Sequence, residues 1–343
     1  MKIAFFDAKP YDKIWFDKLV ENYPFRLKYY ENRLEGDTAV LARGCSGAIA
    51  FVNDTIDAAA IDALYNEGVR VIAMRSAGYN NIDFKHAFGK VHVLRVPAYS
   101  PNAVAEYAIA LLLMLIRKTH RAYGRTRDHN FNINGLQGIN LYGRTIGIVG
   151  TGKIGRIFID ICKGFGMEVV AYDPFPAKDT DIRYVTFEEL CRISDIISLH
   201  CPLTKETHHI VNKKSIADMK DGAILVNTSR GALIDSGDLL AALKSKKLQG
   251  AALDVYEEET DLFFEDFSGT IIDDDTLTML LSLPNVLITS HQAFLTDEAL
   301  QNIAETTLDN LKAFFDGAPL ANEICYRCVK EGTCRKDHVA RCF

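Results

Sequence analysis

The sequence of 343 residues lacks several features that mark particular classes of protein. Its longest apolar stretch, AVAEYAIALLLMLIRK, contains Glu106 and is too short to span a bilayer. No basic run appears in the body of the chain and the net charge is -6, which argues against a nucleic-acid surface. The N-terminal MKIAFFDAKP leads into a strand-like run without the pattern of a signal peptide. We therefore expect a cytoplasmic protein that binds neither membranes nor nucleic acids.

The chain also lacks internal repeats, low-complexity segments and an evident disulfide framework. Most of its eight cysteines are isolated within apolar runs, which is typical of reduced thiols in the cytoplasm. With 48% hydrophobic residues, the chain is long enough to form two domains, each with its own core.

Strand-like and helix-like segments alternate almost throughout the chain. The first third contains the strand candidates KIAFFDA, FRLKYYE, GAIAFVN, VRVIAMRSAG and VHVLRVP, separated by helical patterns such as TIDAAAIDALYNEG. We expect that helix to begin at a Thr55 cap and to end at Gly68. From Thr145 onward the candidates are TIGIVG, EVVAYD, DIISLHC, AILVNTS, GAALDVY and NVLITSH. Continuous apolar strands indicate parallel sheets covered on both faces, so the sequence predicts an α/β fold with two doubly wound, Rossmann-like or flavodoxin-like domains.

The domain boundaries follow from two helical segments. A long helix starting near Pro101 leads into a dinucleotide-binding domain predicted over residues 101–295. The amphipathic segment DEALQNIAETTLDNLKAFFDG is expected to cross back, so the substrate-binding domain is predicted to comprise residues 1–100 and 296–330. Residues 331–343 are left as a cysteine-containing tail.

A glycine-rich loop carries the strongest local motif. The stretch TIGIVGTGKIGRIFIDICKGFGMEVVAYD contains Gly150, Gly152 and Gly155 in the spacing G-x-G-x-x-G, between an apolar strand and a helix. A second strand follows and ends at Asp173. This context is the dinucleotide fingerprint, in which the glycines allow a tight turn, close approach of a pyrophosphate and packing of the helix. The carboxylate at the end of the second strand accepts hydrogen bonds from the ribose hydroxyls and repels a 2′-phosphate. The pattern therefore predicts NAD as the cofactor.

Three later strand candidates end in groups with complementary chemistry. AILVNTSRGALID places Arg230 after the fourth strand of this domain, and GAALDVYEEE places Asp254 and the glutamates at 257–259 after the fifth. NVLITSH is expected to end the sixth strand on His291. A lone histidine is more often a core or capping residue, and a run of glutamates is usually solvated. Together at successive carboxyl ends of a doubly wound sheet, however, these groups face the ligand crevice.

These residue types fit the reduction of a 2-oxo acid. A histidine can donate a proton to the carbonyl oxygen as negative charge develops there, and a carboxylate behind it holds the imidazole in place. An arginine can polarise the carbonyl and bind a carboxylate through its planar fork. The set therefore predicts a 2-oxo acid reductase that also runs backwards as a 2-hydroxy acid dehydrogenase.

The motifs as a set resemble the D-isomer-specific 2-hydroxyacid dehydrogenases along nearly the whole chain, and most of all their bacterial fermentative D-lactate branch. The matching segments are RSAGYNNID, VPAYSPNAVAEYA, GTGKIG, LHCPLT, VNTSRGALID, DVYEEE, DLFFEDFSGTIIDDD and SHQAFLT. The resemblance implies NAD-dependent reduction of pyruvate to D-lactate, a cleft between the two domains as the active site, and a homodimer or homotetramer.

The resemblance also implies a role for individual residues. It assigns the acid/base to His291, its partner to Glu259 through the spacing from Tyr256, and substrate binding and catalysis to Arg230. The positions expected to bind the cofactor are Gly150, Gly152, Lys153, Ile154, Gly155, Asp173, Cys201, Pro202, Thr228, Ser229 and Asp254. The positions expected to bind the substrate are Ser76, Ala77, Gly78, Tyr99, Arg230 and Phe294, of which the first three offer backbone N–H groups to a carboxylate.

Two alternatives to this function remain open at this point. The same chemistry could act on a larger D-2-hydroxy acid, since one sequence does not fix the volume around Tyr99 and Phe294. The C-terminal-binding corepressors resemble this family and use NADH to control assembly with peptide partners, although the D-lactate segments and the lack of a long tail argue against that role.

The tail CYRCVKEGTCRKDHVARCF departs from the family pattern. Its cysteines are Cys325, Cys328, Cys334 and Cys342, and His338 lies among them. A C-x-x-C pair is typical of metal sites, but the second pair of a zinc ribbon is missing. We expect no metal in this protein and a short, loosely docked tail, with a metal or redox role of the tail as the alternative.

Overall fold

The computed structural model describes residues 1–178, 180–259, 262–327 and 341–342 of the chain. Contacts within the chain divide it into two compact units. The first unit comprises Met1–Ser100 and Leu295–Phe343, and the second comprises Pro101–Phe294. The chain therefore leaves the first unit, completes the second, and returns to the first.

Short strands and helices alternate along the described residues. The strands are β1 (Lys2–Phe5), β2 (Arg26–Tyr29), β3 (Gly47–Ala50), β4 (Val71–Met74), β5 (His92–Leu94), β6 (Thr145–Val149), β7 (Glu168–Tyr172), β8 (Arg183–Tyr184), β9 (Ile196–Leu199), β10 (Ala223–Asn227), β11 (Leu248–Leu253), β12 (Val286–Ile288) and β13 (Glu323–Ile324). The helices are α1 (Pro10–Val20), α2 (Ala58–Asn66), α3 (Phe84–Ala87), α4 (Pro101–Arg117), α5 (Thr119–Arg127), α6 (Lys153–Gly164), α7 (Phe187–Ile193), α8 (Lys213–Asp218), α9 (Ser236–Lys244), α10 (Asp275–Ser282) and α11 (Asp297–Phe315). Two 3₁₀ turns cover Ala39–Ala42 and Gly231–Leu233.

The first unit contains a six-stranded sheet in the order β13-β5-β4-β3-β1-β2. Strands β1 to β5 pair in parallel, and β13 adds to β5 in the antiparallel direction. The order 2-1-3-4-5 of the parallel strands is the flavodoxin-like one. The short antiparallel strand was not predicted, since two residues carry too little pattern to be read from the sequence.

Helices cover both faces of this sheet. Ile61 and Leu64 of α2 belong to the buried cluster on one face, and Phe16 of α1 and Leu308 of α11 belong to the cluster on the other. The predicted Thr55 cap of α2 is wrong: the helix begins after Asp57, whose side chain accepts a hydrogen bond from the N–H of Ala60 at 2.9 Å. An Asp at this position satisfies a free N–H of the first turn, and Thr55 lies too far upstream to do so. At the other end, Gly68 follows the last turn with φ +94°, as expected for the residue that ends a helix.

The second unit contains a seven-stranded sheet in the order β12-β11-β10-β9-β6-β7-β8, and all of its strand pairs are parallel. This is the Rossmann order 3-2-1-4-5-6 with one strand added beyond the sixth. The two-residue strand β8 completes that order and was not predicted. The strand order reverses between β6 and β9, and the glycine loop follows β6 at this switch point. The two parallel-sheet units confirm the predicted fold class.

Helix α4 and helix α6 cover one face of this second sheet. Leu112 and Phe158 from the two helices pack with Ile146 and Ala252 of the strands in one buried cluster. Helices α7 to α10 contribute to the cluster on the opposite face. No helix within the described part of the chain is both long enough and apolar enough to cross a bilayer.

Candidate active site

The glycine loop is shaped by close backbone contacts. Gly150 has φ +96°, and a Cβ placed on it would lie 2.7 Å from the carbonyl carbon of His200 in the loop after β9. A Cβ on Gly155 would lie 2.1 Å from the carbonyl oxygen of Gly150. A Cβ on Gly152 would lie more than 4 Å from the neighbouring atoms of the described residues. Two glycines are therefore required by packing, whereas the third leaves open space at the N-terminus of α6, where a pyrophosphate fits.

Asp173 follows β7 and is hydrogen-bonded to the same loop. Its Oδ2 accepts hydrogen bonds from the Thr151 N–H at 2.8 Å and from the Thr151 hydroxyl at 3.0 Å, and its Oδ1 accepts one from Phe175 N at 2.9 Å. Burial raises the pKa of Asp173, but these hydrogen bonds and the charge of Arg156 outweigh it, so the net shift is downward. The carboxylate is thus kept ionised beside the loop, which suits ribose hydroxyls and repels a 2′-phosphate. Arg156, which the sequence analysis did not single out, adds a positive charge there.

Further predicted cofactor residues lie at the carboxyl ends of β9 and β10. Ser229 donates its hydroxyl to the carbonyl oxygen of Cys201 at 2.8 Å, which joins the two loops. Burial raises the pKa of the Cys201 thiol to about 11, so this side chain stays neutral. Thr228 is buried, and its Oγ1 has no hydrogen-bond partner among the described residues. A buried hydroxyl without a partner is what a missing ligand group leaves behind, so this observation fits a cofactor bound here. Pro202 is exposed in the following loop, and Lys153 and Ile154 open α6 as predicted members of the phosphate loop.

The histidine and one of the three glutamates form a direct pair. Nδ1 of His291 lies 2.7 Å from Oε1 of Glu259, and Oε2 of Glu259 accepts a hydrogen bond from the N–H of Tyr256 at 2.9 Å. The neighbouring glutamates do not share this place: Glu258 is exposed, and Glu257 contacts a different histidine. Both members of the pair are about one-fifth exposed. Because Nδ1–H donates a hydrogen bond to the carboxylate, Nε2 is the nitrogen left to exchange a proton with a ligand.

His291 does not end its strand, and that prediction is wrong. Strand β12 stops at Ile288, and His291 lies three residues further along in a loop, with φ +51°. The left-handed backbone is unusual for a residue other than glycine and costs about 1 kcal/mol or more. The loop is held in this shape by Asp254, to whose carbonyl oxygen the His291 N–H donates at 2.7 Å.

Asp254 is fully buried directly after β11, and its carboxylate is the centre of this loop. Oδ1 accepts hydrogen bonds from the Thr289 hydroxyl at 2.6 Å and the Gln292 N–H at 2.9 Å, and Oδ2 accepts one from the Ala293 N–H at 2.8 Å. Burial raises the pKa of Asp254, and these hydrogen bonds oppose that rise. The residue was predicted to contact the cofactor; in the structure its side-chain oxygens are bonded to the loop that presents His291.

Arg230 follows β10 in a loop fixed from both sides. Asn227, fully buried at the end of β10, donates its side-chain N–H to the Arg230 carbonyl at 2.8 Å and accepts from Ser229 N at 3.0 Å. A Cβ on Gly231 would lie 1.9 Å from the carbonyl oxygen of Tyr256. Asn227 and Gly231 were not predicted as site residues, although both stand within VNTSRG. They place the segments that carry Arg230 and Glu259 against each other.

The predicted substrate residues of the first unit form a turn after β4. The Ser76 hydroxyl donates to the Gly78 carbonyl at 2.9 Å, and Arg95 donates to the Ala77 carbonyl at 3.1 Å. Tyr99 is half-buried, and its carbonyl accepts a hydrogen bond from Asn302 at 2.8 Å. Phe294 belongs to the second unit and is buried at the end of the His291 loop.

A buried arginine fixes the start of that turn. Arg75, one residue before Ser76, donates to the Asp7 carbonyl at 2.5 Å and lies 3.6 Å from the Asp7 carboxylate and 3.5 Å from that of Asp12. Its guanidinium also lies 3.8 Å from the ring centroid of Phe51. The sequence analysis did not identify this cluster, because its members come from three distant segments of the chain.

The described part of the tail is docked on the first unit. The Cys342 N–H donates to Oε2 of Glu323 at 2.7 Å, and Arg341 donates to the Phe314 carbonyl at 2.7 Å. Cys325 is buried. The remaining residues of the proposed metal pattern, Cys328, Cys334 and His338, lie outside the described residues.

Comparison with known proteins identifies the family of this chain. A family model for the NAD-binding domain of D-isomer-specific 2-hydroxyacid dehydrogenases matches residues 109–293. The D-lactate dehydrogenase of Escherichia coli K12 is 47% identical over 329 residues, covering 94% of this chain and 100% of that protein. The apo structure of D-lactate dehydrogenase from Escherichia coli superimposes with a TM-score of 0.88 at 44% identity over 94% of this chain and 100% of the other. A structure of the pyruvate reductase of Chlamydomonas reinhardtii gives a TM-score of 0.90 at 41% identity, covering 94% and 98% of the two chains.

The fold, the glycine loop and the His–Glu pair define a nicotinamide-dependent oxidoreductase. The chain belongs to the D-isomer-specific 2-hydroxyacid dehydrogenases. The predicted family and the predicted cofactor, NAD, are both confirmed.

Proposed function

We propose that this protein is a D-lactate dehydrogenase that reduces pyruvate to D-lactate with NADH and catalyses the reverse reaction. The observation that carries the proposal is the Glu259–His291 pair at the carboxyl edge of a Rossmann-type sheet, in which Glu259 contacts Nδ1 of His291 and the described residues show no hydrogen bond to Nε2. The choice of pyruvate is supported by the relatives named D-lactate dehydrogenase, which match nearly the whole chain.

The cofactor would be held by the open backbone at Gly152, by the ionised Asp173 and by Thr228. When bound there, NADH supplies the hydride that reduces the carbonyl carbon. The chain itself supplies the rest of the chemistry. It keeps Asp173 charged to select the cofactor without a 2′-phosphate, and it offers Thr228 as a hydroxyl that has no partner among the described residues.

We infer that His291 is the acid/base of the reaction. Nδ1 of its imidazole is bonded to Glu259, so the ring is oriented and Nε2 presents the proton. The carboxylate of Glu259 holds the ring through this hydrogen bond, and His291 donates the proton from Nε2 to the oxygen of the substrate as charge develops on it. In the reverse direction the neutral imidazole removes the proton from the hydroxyl group.

Arg230 is proposed to bind the substrate carboxylate and to polarise its carbonyl, because the planar guanidinium makes two parallel hydrogen bonds. The turn at Ser76, Ala77 and Gly78 would contribute backbone N–H groups for the same carboxylate. Tyr99 and Phe294 would limit the side chain to a small group such as a methyl. We further propose that the protein acts in the cytoplasm and forms a homodimer or homotetramer. Sedimentation of the purified protein would measure its oligomeric state.

The test is steady-state NADH oxidation with pyruvate, phenylpyruvate, 2-oxoisocaproate and glyoxylate, followed by assay of the lactate with D-specific and L-specific enzymes. We expect the highest kcat/KM with pyruvate and a D-lactate product. Preference for a larger oxo acid would contradict the proposed role of Tyr99 and Phe294 while retaining the chemistry. Tight NADH binding without turnover on any of them would contradict the enzymatic function and favour a cofactor-sensing binding protein.

The substitution His291→Gln tests the acid/base. We expect kcat to fall by about 10²–10⁴-fold, since a glutamine cannot transfer the proton, with the Kd of NADH unchanged within a few-fold. His129→Gln is a matched control, because His129 is an exposed histidine that also has a left-handed backbone, φ +56°. It should retain full activity. If His291→Gln retains most of its rate, another group supplies the proton.

A further inference from the structure

A second histidine–glutamate cluster lies in the second unit, outside the residues used above. His208 and His209 stand in the loop after β9, and Glu257 stands in the loop after β11. One ligand atom from each lies within 4.8 Å of the others. The two imidazole rings have their centroids 3.9 Å apart, with an interplanar angle of 33°. Imidazole nitrogens with a carboxylate oxygen are the ligand set that zinc and neighbouring divalent transition metals take in proteins.

His209 is already oriented as a metal ligand would be. Its Nε2 lies 2.5 Å from Oε1 of Glu257, and its Nδ1 lies 3.6 Å from Oδ2 of Asp235. A metal ion on Nε2 would leave Nδ1 beside this carboxylate, which a small shift would bring into the outer-shell contact common to metal-bound histidines. The His209 backbone is left-handed, φ +51°, and its carbonyl accepts a hydrogen bond from the Asn212 side chain at 2.8 Å. The backbone of His209 is thus held in place without an ion, and its ring is held by the contact with Glu257.

Side-chain movements of about 1 Å admit an ion. Two ligands bound at about 2.0–2.1 Å to a tetrahedral zinc lie roughly 3.3 Å apart. The 2.5 Å contact between His209 and Glu257 must therefore open by about 0.8 Å, and separations of up to 4.8 Å within the cluster must close by up to about 1.5 Å. His208 is exposed and Glu257 is partly exposed, so both can adjust and the ion can enter from solvent. Three protein ligands leave the fourth position to water.

We propose that His208, His209 and Glu257 form a binding site for a divalent transition-metal ion of the zinc type. The cluster joins two segments that the catalytic site also uses. Glu257 lies two residues before Glu259, and its Oε2 accepts a hydrogen bond at 3.3 Å from the N–H of Ser236, downstream of Arg230. An ion held here clamps the loops after β9 and β11 together without contacting the cofactor or substrate residues.

The experiment measures binding of Zn²⁺ and Co²⁺ to the untagged, full-length, reduced protein after chelator treatment. We expect Zn²⁺ to raise the Tm of the wild type. His208→Gln, which changes an exposed ligand, should weaken Zn²⁺ binding at least tenfold in a competition titration with a chromogenic chelator, and it should abolish most of the rise in Tm. Its activity without metal should equal that of the wild type. His129→Gln, an exposed histidine outside the cluster, should bind as the wild type does.

Two results would overturn the proposal. Equal Zn²⁺ affinity and equal stabilisation in the wild type and in His208→Gln would show that the ion binds elsewhere. A strong thiolate-to-cobalt charge-transfer band in the Co²⁺ complex would assign the ion to cysteines, since the proposed ligands contain no sulfur. Glu257→Gln provides a second variant, which should weaken binding because the amide cannot supply an anionic oxygen. The Zn²⁺ titrations, the Tm shifts and the Co²⁺ spectrum do not use pyruvate turnover, so the proposed function can fail or stand independently of the metal site.

Discussion

Replacing Asp254 with asparagine should damage catalysis through the loop that presents His291. In its better orientation the asparagine keeps the oxygen that accepts from Thr289 and Gln292. Its amino group then replaces Oδ2 and faces the N–H of Ala293, which donates to that oxygen at 2.8 Å in the wild type. One hydrogen bond to a charged acceptor is lost, and two donors are left facing each other in a fully buried site.

The magnitude of the effect follows from these bonds. A hydrogen bond to a charged group contributes about 1.5–3 kcal/mol, and an unsatisfied buried donor costs about 1–3 kcal/mol. Allowing for partial relaxation, we expect Asp254→Asn to lower the free energy of unfolding by about 2–4 kcal/mol. If the released loop lets His291 move by about 1 Å, kcat falls by roughly 10²-fold.

Three measurements on the same samples distinguish this role from a direct cofactor contact: urea unfolding, kcat for NADH oxidation with pyruvate, and the Kd of NADH from fluorescence quenching. We expect the free energy of unfolding and kcat to fall, and the Kd of NADH to stay within about threefold of the wild-type value. Thr289→Val removes the hydroxyl that donates to Asp254 at 2.6 Å and leaves the Asp254 carboxylate in place, so it should lower the same two quantities by less. If Asp254→Asn instead weakens NADH tenfold or more while stability and kcat hold, the positioning role is refuted.

Two further predictions concern other buried contacts. Asp54 accepts hydrogen bonds from backbone N–H groups, but its burial raises its pKa to about 7. Its contribution to stability is therefore complete below the usual pKa of 3.8, falls as the pH rises and is lost above about 7. The wild type should exceed Asp54→Asn in unfolding free energy by less and less over this pH range. A difference that stays constant would contradict the raised pKa. Gly231→Ala places a Cβ 1.9 Å from the Tyr256 carbonyl oxygen. It should therefore displace the segment that carries Glu259 and lower both Tm and kcat. Normal kinetics would show that the segments carrying Arg230 and Glu259 adjust independently.

The parts of the site that the sequence could predict are those with local spacing. The glycine loop and Asp173 stand in one strand–turn–helix–strand segment, and the close contacts of Gly150 and Gly155 agree with the roles read from the spacing. The choice of Glu259 among three glutamates could not come from composition and rested on the family spacing. In the structure Glu259 is the one that contacts His291.

The errors have a common physical cause, which is contact between distant segments. The sequence around His291 reads as a continuing strand, yet the strand stops at Ile288 because Thr289 and the residues after His291 bond to Asp254, more than thirty positions earlier. The contact between His209 and Glu257 was not predicted for the same reason, since the two residues lie 48 positions apart. Strands of two residues, such as Arg183–Tyr184, carry no periodicity and appear only when a neighbouring strand pairs with them.

The insertion of the second unit into the first has a consequence for the order in which the protein can be completed during synthesis. The inner strands of the first unit pack Ile3 and Phe5 against Leu308 and Leu311 of α11. A ribosome makes those partners last, after the entire span Pro101–Phe294. The second unit has its whole sheet and core within one continuous stretch, so it can fold while translation continues. Until then α1 is the only helix of the first hundred residues on that face of the sheet, so the nascent N-terminal segment exposes the apolar surface that α11 later covers.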